Sequence, residues 1–405
     1  MTVLYLLFSI ATWSLGFILS AVILYLLFLT ITALASHRQR HTLIPVSQNR
    51  FVFLVPAHNE EKLLPNLLKS LKALDYPADQ FAIHVVADNC ADCTAEVGRA
   101  HGAHVHERFN QTQLGKGYAL QWLLKRIEES DDAFDAAIIL DADSVVSANF
   151  LSVMNRHLAN GERVIQAYYT VLHPERAWNT CLRYVALTAL HYLRPLARMA
   201  LGGSVGLKGN GMVFHRSILR NHAWSASVTE DIEYHMSLIL AGERVTFARE
   251  AVVWAEMPTE LKDARTQNIR WEQGRLEMAK RYVPRLLKAF WSGQQKQPNL
   301  SAFTYLDAAI EHIIPPFSIV TGLSLLFLFM ALLLQSTAAI ALGMGLLIGQ
   351  IVYFGTGLLL VNSPRQVYVA LLYAPLFVVW KIWLYLRILL GLDKQGWVRT
   401  ARNNV

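Results

Sequence analysis

Charge is scarce in this chain. Of 405 residues only 17% are Asp, Glu, Lys or Arg, against 54% hydrophobic, which excludes an ordinary soluble protein. The apolar residues are clustered, and no charged residue occurs over 3–35. A membrane span needs ~20 apolar residues, so this run can cross a bilayer with tilt. It lacks the basic start of a signal peptide and exceeds the ~7–15 apolar residues of a signal core, so it is not a good signal peptide. Cysteine is scarce too, with three in the chain, and on the cytosolic side these stay reduced. Cys90 and Cys93 form one Cys-x-x-Cys, followed by His101, His104 and His106. A zinc site ordinarily needs two such pairs or a paired histidine motif, so these cysteines read as reduced residues opening a helix. The formal net charge of +7 comes with no basic helix and no stacking-aromatic motif. Nucleic acid is therefore excluded as a partner, and a lipid bilayer with anionic headgroups fits the excess.

A second apolar block fills the last quarter, with spans expected near 316–334, 338–361 and 367–390. Just before it, 305–317 mixes charge with apolar residues, which suits an interfacial helix or, equally, a plain anchor. The expected organisation is a transmembrane helix over 1–36 and a cytosolic domain over 49–297. An interfacial helix with about three membrane segments follows over 303–392, then a basic tail over 393–405. The basic "SHRQRH" after the first run puts the soluble domain in the cytosol. One span plus three would leave the C-terminus outside, whereas Lys381, Arg387 and the basic tail favour the cytosol.

Between the apolar blocks, strand-like and helix-like stretches alternate. "FVFLVPA", "FAIHVVAD", "AHVHERF" and "AAIILDAD" read as strands, separated by helical periodicity. This order implies an α/β domain with a mostly parallel sheet covered by helices. Ligands of such sheets sit beyond the carboxyl ends of the strands. Polar groups collect there: Pro56, Ala57 and Glu60 in "PAHNEE", Asp88 after the second strand, Asp141 and Asp143 after the fourth. Aspartate is depleted in strands and costly to bury unpaired, so a positive charge is expected nearby. If the strand continues, Asp141 and Asp143 share one side. Two such acids suit Mg²⁺ or Mn²⁺, which would arrive with a diphosphate and take its other ligands from water and that phosphate. Alternatively, one aspartate caps the helix starting near Ser147.

Three further features converge. "TED" (Thr229, Glu230, Asp231) opens a helix after the glycine-rich "GLKGNGMVF"; Thr229 suits an N-cap, or a carboxylate there faces an acceptor hydroxyl. "QNIRW" places Gln267, Arg270 and Trp271 on one helix face, offering an amide, a phosphate-binding guanidinium and a flat indole. Lys116 in "LGKGYAL" stands where a loop meets a helix, within reach of a phosphate or simply solvated. A transporter is disfavoured, because the polar constellation lies outside the apolar segments.

Together, "PAHNEE", "AD", "DAD", "TED" and "QNIRW", in this order, resemble the family 2 membrane glycosyltransferases. These include the cellulose, chitin and hyaluronan synthases and bacterial exopolysaccharide transferases of the methanolan-synthesis type. The resemblance covers about residues 51–282. It implies a GT-A fold flanked by transmembrane helices, in a bacterial inner membrane protein with its catalytic domain in the cytosol. It implies inverting transfer from a nucleotide sugar, UDP-linked by default, to a growing polysaccharide. A lipid-linked acceptor receiving one sugar would share every motif; a non-catalytic scaffold is a third reading.

By position, Asp88 would contact the nucleoside, Asp141 the nucleotide, and Asp143 the metal. Asp231 would be the general base, and Gln267 and Arg270 would hold the diphosphate. Pro56, Ala57, Glu60 and Lys116 join the donor side; Trp271, Glu230, Gly209 and Asn210 join the acceptor side. The chain departs from the pattern in carrying a single aspartate after the second strand, and a cyclic-dinucleotide-binding module after the last span is not expected.

Overall fold

The computed structural model describes residues 2–37, 47–129, 133–224, 229–292 and 300–392. Most of the basic segment after the first apolar run, and the basic tail over 393–405, lie outside the described residues.

The chain opens with helix α1 (Thr2–Ser36). Then come β1 (Phe51–Ala57), α2 (Leu64–Lys72), β2 (Phe81–Asp88), α3 (Thr94–Ala100), β3 (His104–Arg108), α4 (Lys116–Glu129) and β4 (Ala136–Ile139). β5 (Ser144–Val146), α5 (Phe150–Ala159) and β6 (Val164–Val171) follow. Helix α6 (Trp178–Thr188) runs through a π-turn (Ala189–Leu193) into α7 (Arg194–Ala200). Next are β7 (Met212–His215), α8 (Arg216–Asn221), α9 (Glu230–Ala241), β8 (Val245–Ala255) and the long α10 (Leu261–Ser292). Helices α11 (Ala302–Ile313), α12 (Phe317–Leu333), α13 (Thr337–Leu360), α14 (Arg365–Ala370) and α15 (Ala374–Leu389) close the described chain.

Two compact units result. One comprises the described parts of Arg40–His173 and Leu201–Ala309, the other those of Met1–Gln39, Pro174–Ala200 and Ile310–Lys394. The first is built on one eight-stranded sheet in the order β3-β2-β1-β4-β7-β6-β8-β5. Pairings β3-β2, β2-β1, β1-β4 and β6-β8 are parallel; β4-β7, β7-β6 and β8-β5 are antiparallel. The parallel half explains the apolar run of β1, whose residues are buried apart from a half-buried Pro56, because helices cover both faces. Helix α2 buries Leu64, Leu67, Leu68 and Leu71, one stripe at helical spacing.

β4 is shorter than its sequence suggests. It stops at Ile139, opposite Leu54 of β1, and a turn closed by Ser144 N–H on the Asp141 carbonyl follows. The alternation expected to put Asp141 and Asp143 on one side of a strand therefore does not operate, because neither residue lies in the ladder. Of the glycine-rich stretch only its end enters a strand, Met212–His215.

The second unit is helical. Three of its helical segments are long and apolar enough to cross a membrane: Val3–Ser36, Thr337–Leu360 and Arg365–Leu389. The last is broken between α14 and α15 by a 3₁₀ turn. A fourth is reached only by counting α11 and α12, bent at their junction, as one; α12 alone has 17 residues. Hydroxyls inside the apolar α1 bond back one turn, Thr12 to the Phe8 carbonyl at 2.8 Å and Thr30 to that of Leu26 at 2.8 Å, so these groups do not need water. Small residues allow close packing: a Cβ on Gly349 would stand 2.6 Å from Ile23 Cγ2. This unit also takes in Pro174–Ala200, a stretch expected within the soluble domain. The reason is burial: α6, the π-turn and α7 bury most of their residues, polar ones included, and α7 packs on α1 while α6 packs on α13.

Gly211 ties the strands beside the turn after β4. Its N–H donates to the Ile139 carbonyl, its carbonyl accepts from Ala167, and its φ is +67°. A Cβ there would meet Val253 Cγ2 at 2.7 Å. Gly211→Ala is expected to destabilise the sheet unit by about 1–3 kcal/mol, read as a lower denaturant midpoint; an unchanged midpoint would contradict this account.

Candidate active site

Four segments converge at the carboxyl ends of the parallel strands. Lys116, the first residue of α4, reaches back so that Nζ lies 2.5 Å from Asp141 Oδ1. Nζ also donates to the carbonyl of Gly209. Lys116 and Asp141 side chains are 25% and 33% exposed, so a ligand can reach both. The positive charge the aspartates call for is thus partly supplied by the chain itself, in place of the solvated lysine at a helix start.

Gly209 holds a φ of +76°, and a Cβ on it would stand 3.2 Å from Asp231 Oδ2 and 3.8 Å from Lys116 Nζ. Only a residue without a side chain leaves room for the carboxylate on one flank and the ammonium on the other. Beside Asp231, Glu230 is buried at the start of α9. Burial pushes the Glu230 carboxyl up to about 7, with Lys116 opposing and the Asp231 charge adding to the rise. Burial likewise raises the Asp231 carboxyl against the pull of Lys116. Burial works to lower the Lys116 ammonium, but Asp141, Glu230 and Asp231 outweigh it and the net shift is upward. Lys116, with Lys208 adding to the pull on Asp231, therefore holds a cluster of acids that repel one another.

Asn210, expected on the acceptor side, has its amide engaged within the chain. It is fully buried; its Oδ1 accepts from Asp141 N–H at 3.2 Å and its Nδ2 donates to Ser144 Oγ at 2.8 Å. With both ends of the amide committed, it fixes the turn carrying Asp141 and Asp143. Asp143 is buried in that turn. Thr229 also departs from expectation. It occupies the N-cap position of α9 but makes no side-chain cap hydrogen bond; instead Asp231 Oδ1 accepts from Ile232 N–H at 2.9 Å.

Asp88, at the end of β2, pairs with Arg108 Nη1 at 2.5 Å, and both are buried. Burial still raises the Asp88 carboxyl above its ordinary range, against Arg108. The neighbouring turns rest on Asn59 and Asn89, at φ +55° and +50°. Their amides brace the rim: Asn59 Oδ1 accepts from Ala91 N–H and Asn89 Oδ1 from Asn110 N–H. Pro56 and Ala57 end β1 beside Val86 and Ala87, and Glu60 is buried in the following turn, its N–H on Thr94 Oγ1 at 2.7 Å. Cys90 and Cys93 are free thiols there, and burial raises that of Cys90.

Gln267, Arg270 and Trp271 share one face of α10, with the indole 36% exposed. Gly274, one turn on, aligns this helix with the acidic motif. A Cβ on it would stand 2.0 Å from Thr229 Cγ2, so α10 lies directly against Thr229. Further along, Met278, Tyr282 and Leu286 of α10 pack on Met236 and Ile239 of α9, and Arg281 pairs with Glu233. Neither Gly274 nor Arg108 belongs to a motif. Only the regular placement of a glycine one turn past "RW" hinted at a close crossing.

This geometry can be set beside known proteins. A profile described as "Glycosyltransferase like family 2" matches residues 48–274, more than half the chain. The chain belongs to that family. Among curated relatives it is 23% identical over 281 residues to a poly-beta-1,6-N-acetyl-D-glucosamine synthase of Staphylococcus epidermidis, covering 68% of this chain and 64% of the relative. It is 26% identical over 294 residues to a beta-monoglucosyldiacylglycerol synthase of Trichormus variabilis, covering 67% and 61%. The chain thus spans less than two thirds of these relatives' lengths. A solved mannosyltransferase from Pyrobaculum calidifontis, in complex with GDP-Man and Mn²⁺, superposes with a TM-score of 0.51 at 17% identity, covering 86% of this chain and 98% of the other. That likeness establishes the GT-A fold.

The contact at Gly274 gives a direct test. Gly274→Ala is expected to speed amide exchange across Glu230–Ala241 and Leu261–Ser292 at least about tenfold, leaving β1 and β4 unchanged, since overpacking costs ~1–3 kcal/mol. Unchanged exchange in both helices would contradict the packing described.

Proposed function

We propose that this chain is a membrane-bound glycosyltransferase that moves a sugar from a nucleotide-sugar donor to an acceptor hydroxyl with inversion, extending a polysaccharide of the cell envelope. The observation that carries this reading is the Lys116–Asp141–Gly209–Asp231 constellation. It sets a cation-held carboxylate beside two acids, the buried Glu230 and its neighbour Asp231, whose affinities for protons are both raised.

Asp231 takes the proton of the acceptor hydroxyl. The oxygen attacks the anomeric carbon from the face opposite the diphosphate, the bond from that carbon to the phosphate oxygen breaks, and the nucleoside diphosphate leaves with the electron pair. A base with a raised proton affinity suits this work near neutral pH. Asp88 and Asp141 lie on the donor side, with Lys116 between donor and base. Arg270 offers a two-pronged contact to the diphosphate and Gln267 an amide. Trp271 presents a flat surface to the acceptor sugar.

Asp143, with Asp141 beside it, would hold Mg²⁺ or Mn²⁺. Their hard oxygens suit such a cation. Among the described residues no three His, Cys, Asp or Glu side chains form a metal-holding group, which fits a cation shared with the substrate's phosphates. When bound, the cation offsets charge growing on the leaving diphosphate.

A second reading, one sugar transferred to a lipid acceptor, is favoured by the relative named for glucosyldiacylglycerol synthesis. Product sizing separates the two: a polymer ladder against a single glycolipid.

Purified protein supplied with UDP- and GDP-sugars and Mg²⁺ or Mn²⁺ is expected to release nucleotide from one donor. Asp231→Asn should slow release about 10²–10⁴-fold without weakening donor binding. Asp143→Asn or chelation should nearly abolish it. Wild-type turnover in a folded Asp231→Asn protein would remove Asp231 from the role of base.

The pH profile tests Lys116. The base works ionised, so activity falls as pH drops through its raised value, and Lys116 restrains that rise. Lys116→Met should move the acid limb of kcat/KM to higher pH, while Lys116→Arg should hold it. A higher donor KM with an unmoved limb would make Lys116 a phosphate contact alone.

A further inference from the structure

The helical unit contains a cation that no carboxylate among the described residues pairs with. Arg194 and Arg198 lie one turn apart on α7 and are 4% and 0% exposed. Arg198 Nη1 pairs with Glu311 Oε2 at 2.6 Å. Arg194 meets a different environment. Its Nε donates to the Tyr353 hydroxyl at 2.9 Å, and its guanidinium carbon sits 5.0 Å from the centre of the Phe317 ring. That hydroxyl in turn donates to the Ala189 carbonyl at 3.4 Å, in the π-turn just before α7, so it acts as a neutral acceptor towards Arg194. No carboxylate of the described residues pairs with Arg194.

Arginine cannot shed its proton in a protein, so burial leaves its charge in place. An unpaired charge in apolar surroundings is strongly unfavourable, and ionisable residues among membrane helices ordinarily find a partner. The Tyr353 hydroxyl engages Nε and the Phe317 ring lies beside the guanidinium carbon, which leaves the Nη groups as donors for an anion with two acceptor oxygens. Phosphate is that anion, and basic pockets between membrane helices receive phospholipid headgroups.

We infer that Arg194, braced by Tyr353 and Phe317, binds the phosphate of an anionic lipid within the helical unit. This rests on the reading that the unit lies in a bilayer. The phosphate can belong to a bilayer phospholipid or to a polyprenyl phosphate.

The test uses the full chain in detergent, titrated with phosphatidylglycerol, a polyprenyl phosphate, diacylglycerol of matched chain length, or inorganic phosphate, and followed by thermal midpoint. A saturable rise with phosphatidylglycerol or the polyprenyl phosphate, and none with diacylglycerol, is expected; which of the two acts identifies the source. Arg194→Met should weaken the effect at least about tenfold, the loss of one charge-assisted contact. Arg194→Lys, which keeps the charge but not the fork, should bind at an intermediate level and serves if Arg194→Met does not fold. Equal titration by wild type and both variants would overturn the inference, as would the absence of any saturable rise in wild type. Inorganic phosphate acting as well as either lipid would overturn the lipid assignment. Alkaline extraction of membranes separates the two readings: a chain that is extracted fails the membrane reading, while an integral chain with unaltered lipid binding in the variants fails this inference alone.

Discussion

The candidate site depends on the Lys116 ammonium, set among several carboxylates. Lys116 touches Asp141 and the Gly209 carbonyl, and its charge acts on Glu230 and Asp231. At an effective dielectric near 20, charges ~4 Å apart interact by about 4 kcal/mol, enough to decide which acid is ionised. Without the cation the acids would repel one another and take up protons. With it, the rise that burial imposes on the Asp231 and Glu230 carboxyls is held back. The fold around this point brings the lysine from one end of α4 to the turn after β4, a separation of 25 residues in the chain.

Two devices keep the constellation in place. The Gly209–Asn210–Gly211 segment is a backbone part. Gly209 makes room between Lys116 and Asp231, Asn210 pins the aspartate turn through both ends of its amide, and Gly211 ties β4 to β6. The second device is the contact of α9 and α10, where Gly274 lies against Thr229 and an apolar seam runs from Met236 to Leu286. The helix bearing Gln267, Arg270 and Trp271 is thereby held in register with the acids rather than left as an independent amphipathic rod.

In the helical unit the constraint is opposite in kind. Apolar surroundings make every polar group conspicuous, so hydroxyls bond back along their own helices and Arg198 takes Glu311. Arg194, one turn away, receives a hydroxyl and aromatic rings in place of a carboxylate. The same low dielectric that makes unpaired charge expensive makes this difference meaningful.

Much was legible in the sequence because it is local. Apolar runs, alternating periodicities and five ordered polar motifs mark the long apolar helices, the parallel sheet and the family, since backbone hydrogen bonding and burial repeat with the chain. What depended on distant segments meeting was not legible. The partner of Asp141 looked like an external cation until α4 folded back and supplied Lys116. The end of β4 at Ile139, the burial of Asn210, the seat of Gly274 on Thr229 and the departure of Pro174–Ala200 to the helical unit all turn on three-dimensional neighbours. A residue type states what chemistry is available; only the packed structure decides which charge faces it, and so whether that chemistry is held, poised or silent.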